Sequence, residues 1–265
     1  MKQTDEDGPM KSNPTVVLFA VVFALFLAGM ALGTALPHPG YLALASLAAF
    51  QSVTIFILYI VIHDSAHRIA SKNRRLNDTM LFACGVVFLF DPYLYRRLHL
   101  THHAHTNEAS DPDRFTSGPN VLVRWAKSFM IAGFYYVYSL RRFRKNATLL
   151  MHLCFTPTLI AALWLLFHAV GKTQVVVACW FIPDFVAIGF LGFMLTAWPH
   201  HPAQDTSRIG SARNLDVPRL VQWLMGNQHL HLVHHYAPAV PWYRLPAYWR
   251  ENKQRLVAKG AAPVP

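Results

Sequence analysis

Four long apolar stretches dominate the sequence and limit what the chain can fold into. They cover approximately residues 15–36, 41–62, 147–170 and 174–198, and none of them contains lysine or arginine. A helix needs about 17–25 mostly apolar residues to cross a bilayer, and each stretch reaches that length. The sequence therefore predicts four transmembrane helices.

The connections between these stretches predict how the helices pair. The four residues PHPG at 37–40 join the first two spans, and GKT at 171–173 joins the last two. Links this short bring consecutive helices side by side as hairpins. Only 14% of the residues are charged, against about 25% in an average soluble domain. We expect an all-α integral membrane protein with four transmembrane helices in two hairpins and a cytoplasmic, histidine-rich helical cap.

The distribution of basic residues predicts the orientation. Of 24 lysines and arginines, Lys172 alone falls in the two hairpin links. Basic residues favour the cytoplasmic side of a membrane, so both termini and the middle segment 63–146 are expected there, in a bacterial inner membrane. Residues 1–14 would form a cytoplasmic tail, 15–255 a single domain and 256–265 a loose C-terminal tail. Two shorter apolar runs, 79–90 and 129–140, are too short to span and predict helices at the interface.

The net charge of +11 does not indicate a nucleic-acid partner. The basic residues lie on the side expected to face anionic lipid headgroups, which explains the charge without nucleic acid. The three cysteines are scattered and form no C-x-x-C pattern. The sequence therefore supports neither a disulfide framework nor a thiolate zinc site.

Histidines at helical spacing are the chemical signature of the chain. The segments HDSAH (63–67), HLTHH (99–103) and HLVHH (231–235) place imidazoles three or four residues apart, on one face of a helix in each case. All three would lie on the same side of the membrane. The pattern predicts metal ligation by eight residues: His63, His67, His99, His102, His103, His231, His234 and His235.

Eight imidazoles exceed the needs of one ion, since a structural zinc site closes with four ligands and a catalytic one with three. Two metals of higher coordination number are therefore expected. Metal-bound histidines usually donate their second N–H to a carboxylate or carbonyl. Additional ligands or orienting groups are expected among seven residues: His200, His201, Asn227, Asp64, Asp111, Asp113 and His105.

The reasons for these seven assignments differ. One of His200 and His201, which follow the fourth span, could supply a ninth ligand. Asn227 lies one helical turn before His231 and could offer an oxygen ligand or orient a ring. His105 falls off the face of its triplet, which favours a secondary or surface role.

Other classes of protein remain open from the residues alone. A membrane metal transporter or sensor would be expected to hold ligands near mid-membrane, whereas these histidines lie at one face. A pH-sensing cluster would not require helical spacing three times. A zinc hydrolase would be expected to show H-E-x-x-H, which is absent from the sequence.

The three segments also resemble a known family. HDSAH, YRRLHLTHHAHTNEASDPDRF and NQHLHLVHHYAPAVPWYRLP are similar to the histidine boxes of the membrane fatty-acid desaturase/hydroxylase superfamily, over roughly residues 41–250. The resemblance implies two iron ions, O2 as co-substrate, a membrane lipid or carotenoid as substrate, and a ferredoxin-like or other small electron donor. It implies no oligomeric state.

The choice of subfamily rests on finer features. The short chain, the H-D-x-x-H box and the ending HLVHHYAPAVPWYRLP look like the bacterial carotenoid-ring hydroxylases, so hydroxylation of a β-carotene ring is the favoured expectation. An acyl-lipid desaturase is the first alternative. A carotenoid ketolase is the second, because the P-G sequence usual after the second box of those enzymes is absent here.

Overall fold

The computed structural model describes residues 13–262, and every regular element within that range is a helix. Four helices are long and apolar enough to cross a membrane, which confirms the predicted fold class. Most of the predicted N-terminal tail, residues 1–12, lies outside the described residues, as do residues 263–265. The predicted C-terminal tail begins at 256, whereas the last helix extends to Ala258.

The first hairpin consists of α1 (Pro14–Ala35) and α2 (Tyr41–Ala66). Asn13 begins α1, because its side chain accepts a hydrogen bond from the Thr15 amide at 3.0 Å. The buried Gln51 of α2 donates to the Phe26 carbonyl of α1 at 2.9 Å, which ties the two helices together within the membrane. Helix α2 runs four residues past the predicted span, and this extension carries the HDSAH motif out of the apolar run.

Four short helices follow between the hairpins. They are α3 (Arg74–Val87), α4 (Pro92–Ala104), α5 (Val121–Phe129) and α6 (Ile131–Arg142), with a 3-10 turn at Pro112–Thr116. The interfacial helices expected at 79–90 and 129–140 correspond to α3 and α6.

Helices α3 and α4 meet at an angle of 101° and together are apolar enough to form one broken membrane segment. Asp91 sets the start of α4 by accepting the Leu94 amide at 2.8 Å. Because α4 carries two arginines and three histidines, which are costly in hydrocarbon, it lies at the membrane boundary.

The second hairpin consists of α7 (Ala147–Ala169) and α8 (Thr173–Ala197). Helix α8 packs against α2 and contains two π-helical stretches, Val177–Phe181 and Gly192–Ala197. Helix α7 is peripheral, since no residue of its longer part, Phe155–Ala169, is buried. Its apolar surface suits contact with lipid chains.

The C-terminal region packs against the end of α2 that carries the HDSAH motif. It contains α9 (Arg219–Leu224), α10 (His231–Tyr236), a 3-10 turn at Trp242–Arg244, and α11 (Leu245–Ala258). A small core of Leu232, Val233, Leu245, Trp249 and Leu256 holds α10 against α11. This packing fixes the third histidine segment.

Helices α2 and α8 end, and α7 begins, at the same side of the membrane. We call this side the histidine face, because α4 and α10 also lie there. Segments that are far apart in the sequence therefore deliver their histidines to one place, as the sequence predicts.

The predicted orientation can be tested by labelling single cysteines in cells. Lys172→Cys, in the second hairpin link, should react with a membrane-impermeant maleimide in intact cells. Arg141→Cys, near the end of α6, should react only after permeabilisation. The background should carry Cys154→Ser, because Cys154 is exposed whereas Cys84 and Cys179 are buried. The reverse labelling pattern would contradict a cytoplasmic histidine face.

Candidate metal centre

Nine histidines from four parts of the chain meet at the histidine face and form two groups. The five-histidine group contains His63, His67, His99, His103 and His234. The four-histidine group contains His102, His200, His231 and His235. Within each group the nearest ring nitrogens all lie within 4.8 Å of one another. The structure thus brings together all eight histidines predicted as ligands, with His200 as a ninth.

In the five-histidine group the rings point their Nε2 atoms at one another. Nε2 of His234 lies 3.0 Å from Nε2 of His63 and 2.9 Å from Nε2 of His103. Nε2 of His67 lies 2.8 Å from Nε2 of His99. Helix α2 supplies two of these rings at its inner end, and α4 supplies two from its last turns.

The four-histidine group has the same inward geometry. Nε2 of His231 lies 3.0 Å from Nε2 of His200 and 3.2 Å from Nε2 of His235. Nε2 of His102 lies 3.2 Å from Nε2 of His235. Helix α4 therefore serves both groups, since His103 faces one and His102 the other.

The outward nitrogens of two rings, His200 and His235, indicate which tautomer those rings adopt. Nδ1 of His200 donates to the Ser211 carbonyl at 2.8 Å. The Thr106 hydroxyl donates to the His102 carbonyl at 2.8 Å, so its oxygen is left to accept Nδ1–H of His235 at 3.4 Å. With the proton on Nδ1, a neutral imidazole presents an unprotonated Nε2 to the centre of its group.

Burial keeps most of these rings neutral. It lowers the pKa of His67 to about 4 and that of His200 to about 3, and it holds the pKa of His235 well below the ordinary value. Neutral imidazole is the form that binds metal. These rings are therefore ready to act as ligands at neutral pH.

His102 differs from its neighbours because two carboxylates face it. Burial lowers its pKa, but the charges of Asp113 and Asp111 outweigh burial and raise the pKa to about 9, so a metal ion bound by this ring would displace the proton from Nε2. Nδ1 of His102 lies 2.9 Å from Oδ1 of Asp111 and 3.7 Å from Oδ2 of Asp113. The same Asp111 oxygen accepts the backbone amide of Asp113, so the carboxylate is fixed where it orients the ring.

The distances between the inward ring nitrogens can be compared with those expected for ligands of a metal ion. Unprotonated nitrogens about 3 Å apart repel one another unless a cation lies between them. Two imidazole nitrogens bound at right angles to one ion, at about 2.0–2.1 Å each, are about 3 Å apart. The observed separations match that spacing, and an all-imidazole donor set suits Fe, Zn, Cu or Ni. The nine histidines therefore fit two metal ions.

Gln228 is an orienting residue that the sequence analysis did not identify. Its buried amide lies against His63, with Nε2 3.2 Å from Nδ1 of the ring. Its Oε1 is buried without a hydrogen-bond partner in the described part of the chain. Turning the amide by 180° lets Oε1 accept Nδ1–H and leaves Nε2 of His63 free for a metal. No spacing rule connects position 228 with position 63.

The remaining predicted residues fall into different roles. Oδ2 of Asp64 accepts the Trp242 amide at 3.3 Å and ties the C-terminal region to α2. Asn227 donates its side-chain amide to the Trp242 carbonyl. The ring of His201 lies 3.4 Å from the Arg124 guanidinium, and the exposed His105 pairs with Glu108 at 2.9 Å. Neither His201 nor His105 belongs to a histidine group.

An apolar cavity reaches the five-histidine group from the membrane side. It encloses about 680 Å³, counted out to its open mouth, between the inner halves of α2 and α8 and the start of α6. His99, Asp113 and Tyr135 are among the few polar residues that line it. The Tyr135 hydroxyl donates to Asp113, and the Tyr95 ring stacks on His99 with centroids 5.7 Å apart. A long apolar molecule could therefore approach the metal centre.

Comparison with known proteins gives matches over most of the chain. A family model described as fatty acid desaturase matches residues 35–264. A zeaxanthin 4-ketolase of Chlamydomonas reinhardtii is 32% identical over an alignment of 223 residues that covers 78% of this chain and 43% of that protein. A beta-carotene ketolase of Paracoccus sp. is 30% identical over 200 residues, 72% of each chain. A fatty acid desaturase of Bacillus subtilis is 29% identical over 242 residues, 77% of this chain and 66% of that one.

The adjacent pair His200 and His201 provides a matched test of the four-histidine group. His200→Ala should lower the bound metal from about two ions per chain to about one, because it removes one of four ligands. His201→Ala should leave the metal content unchanged. Elemental analysis of purified protein gives the result. Equal losses in both variants would contradict the assignment of His200.

A second matched pair tests the orienting role of Asp111. Asp111→Asn should weaken metal retention against a chelator by about 10- to 100-fold, as expected for removal of a carboxylate that orients a ligand. Glu108→Gln breaks the exposed contact with His105 and should have no such effect. Chelator titrations with both purified variants measure the difference. Unchanged retention in Asp111→Asn would show that Asp111 does not position His102.

Proposed function

We propose, because this chain belongs to the fatty acid desaturase family, that it is an O2-dependent membrane oxidoreductase holding two iron ions in its histidine groups. The observation that carries the proposal is the convergence of nine inward-facing imidazoles beside a cavity open to the membrane. Bound iron would supply activation of O2 and cleavage of an unactivated C–H bond.

The residues of the chain have distinct tasks in this proposal. The two histidine groups hold the ions, and Asp111, Thr106 and the Ser211 carbonyl keep Nε2 of three rings directed inward. The apolar cavity walls exclude water from the oxidising centre. The stacked Tyr95 and the Tyr135–Asp113 pair limit how close a substrate carbon comes to His99. Such positioning decides the outcome, since misplacement by about 1 Å costs much of the rate.

For the substrate we propose a carotenoid ring. Two relatives reported above are named for ketolation of zeaxanthin or β-carotene. The expectation of a ring hydroxylase is not supported by these relatives, so we propose a ketone as the final product. The first oxidation inserts one oxygen atom into a ring C–H bond, and it consumes O2, two electrons and two protons and releases water. A second insertion at the same carbon gives a geminal diol, which loses water to form the ketone.

An acyl-lipid substrate is the second candidate. It is favoured by the fatty acid desaturase of Bacillus subtilis among the relatives and by an apolar cavity that would also accept a hydrocarbon chain. Because the chain spans only 43% of the algal ketolase, the full activity of that relative is not carried over.

The remaining parts of the proposal concern the surroundings. Electrons would come from a ferredoxin-like or other small carrier at the histidine face. That face would be cytoplasmic, in a bacterial inner membrane. The uneven distribution of lysine and arginine supports this placement.

Expression in a β-carotene-producing host tests the substrate class. Pigment analysis should show keto-carotenoids in cells with the chain and none with His231→Ala, which lacks one ligand of the four-histidine group. Fatty-acid profiles of the same cells should match those of the empty host. New double bonds in acyl chains with unchanged pigments would favour the acyl-lipid alternative.

A cavity variant tests whether the substrate enters where the structure indicates. Ala132→Trp places an indole in the apolar cavity and should reduce product at least about tenfold, because the reacting carbon can no longer reach its position. Iron content should stay the same. Ala162→Trp, on the exposed surface of α7, is the matched control and should keep full product. Equal activity of the two variants would place the substrate elsewhere.

A further inference from the structure

A second pocket lies at the histidine face, separate from the apolar cavity. It lies between the outer side of α4 and the end of α6, and it encloses about 630 Å³ counted out to its mouth. Arg97, Thr101 and His105 line it from α4 and its C-cap, four residues apart on one helix face. Tyr138 and Arg142 line it from α6. We call it the Arg97–Arg142 pocket.

The charge of the Arg97–Arg142 pocket is not neutralised. Neither Arg97 nor Arg142 forms an ion pair with a carboxylate among residues 13–262. The adjacent Arg96, by contrast, is paired with Asp78 at 2.7 Å. Glu108, an acid close by in the sequence, is engaged by His105 at 2.9 Å. Two guanidinium groups therefore face one concave surface without a counter-charge from the chain.

The hydroxyl groups around the two arginines already have partners. The Tyr138 hydroxyl donates to the Ser110 carbonyl at 2.8 Å, and the Thr101 hydroxyl donates to the Arg97 carbonyl at 2.8 Å. The Arg97 guanidinium lies over the Phe143 ring at 5.9 Å. The pocket wall is therefore already formed. Arg142 contacts the Tyr138 hydroxyl, and the remaining guanidinium N–H groups can donate to a ligand. Planar guanidinium groups suit the oxygens of a phosphate.

The surroundings of the pocket supply the second half of a ligand site. Arg142 ends α6, and the membrane-spanning helix α7 starts five residues later, at Ala147. Val137 and Leu140 on α6 are each 42% exposed, and Met151 on α7 is 74% exposed. An anionic group bound by the arginines would thus lie at headgroup depth, next to exposed aliphatic side chains.

We propose that the Arg97–Arg142 pocket binds the phosphate group of an anionic phospholipid, whose acyl chains lie along the exposed aliphatic side chains of α6 and α7. Basic pockets beside transmembrane helices are suited to such headgroups. The net positive charge selects against a zwitterionic headgroup, whose own cation would meet the two arginines. This proposal does not depend on the metal centre or on the reaction.

An acidic electron-donor protein is the other negatively charged partner to consider. The pocket favours the lipid for two reasons. It is a small concavity with seven lining residues, which suits a single headgroup rather than a protein surface, and exposed aliphatic side chains lie on its flank. The two partners also predict different effects of mutation, which the experiment separates.

The experiment uses the full-length protein in nanodiscs of phosphatidylcholine and phosphatidylglycerol. After release from the nanodiscs, native mass spectrometry measures the ratio of the two lipids retained on the protein. Arg97→Gln/Arg142→Gln should lower the preference for phosphatidylglycerol by about tenfold or more, since each arginine near anionic lipid contributes about fivefold. Arg74→Gln/Arg75→Gln, an exposed pair on α3 outside the pocket, removes the same charge and should lower the preference clearly less than the pocket variant does.

Further arms make the test decisive. Arg142→Gln alone should lower the preference by about fivefold, and it decides the question if the double variant does not fold. Millimolar inorganic phosphate should not displace the retained lipid. The proposal is overturned if both double variants lose preference equally, if inorganic phosphate displaces phosphatidylglycerol, or if the pocket variants lose only reduction by an acidic donor and keep their lipid preference.

Discussion

Convergence of unprotonated imidazole nitrogens is the constraint around which this structure is organised. Where two neutral rings about 3 Å apart both present an unprotonated Nε2, the two lone pairs repel one another. Outward hydrogen bonds to Ser211, Thr106 and Asp111 and the packing of α10 on α11 hold the rings in position, and cations bound at the centre would stabilise them further. Binding of metal should therefore contribute to the stability of the whole histidine face.

The histidine groups depend on sequence-distant segments because no single helix can surround an ion. Helix α2 contributes only where it runs past its apolar span. Helix α4 contributes three rings because the 101° bend between α3 and α4 brings it against α2. Residue His200 arrives from the chain just after α8, and residues 231–235 come from a helix held by its own small core. The histidine-bearing ends of these segments therefore lie at the same place in the structure.

The sequence carried much of this arrangement, but not all of it. Helical spacing identified eight histidines that the structure brings together, and the short links identified the hairpins. Spacing could not choose between His200 and His201, because the π-helical stretch Gly192–Ala197 and the turn after it break the regular phase of the helix. Gln228 escaped notice because its role depends on a contact with His63 across 165 positions. The cavity likewise depends on packing between helices that share no motif.

The histidine groups lie between an apolar cavity and a polar surface. In the proposed function this placement would separate the route of the substrate from the route of electrons and protons. An apolar substrate can enter the cavity between α2, α6 and α8 directly from the lipid, without crossing water. In the proposed reaction, electrons and protons would come from the opposite side, where His105, His201 and exposed basic residues lie. The rings of α4 lie between the two sides, since His99 lines the cavity while His102 contacts Asp111 in the loop after α4. Helix α4 thus connects the apolar cavity with the polar loop that follows it. This arrangement suits the proposed oxidation of a hydrocarbon dissolved in the membrane.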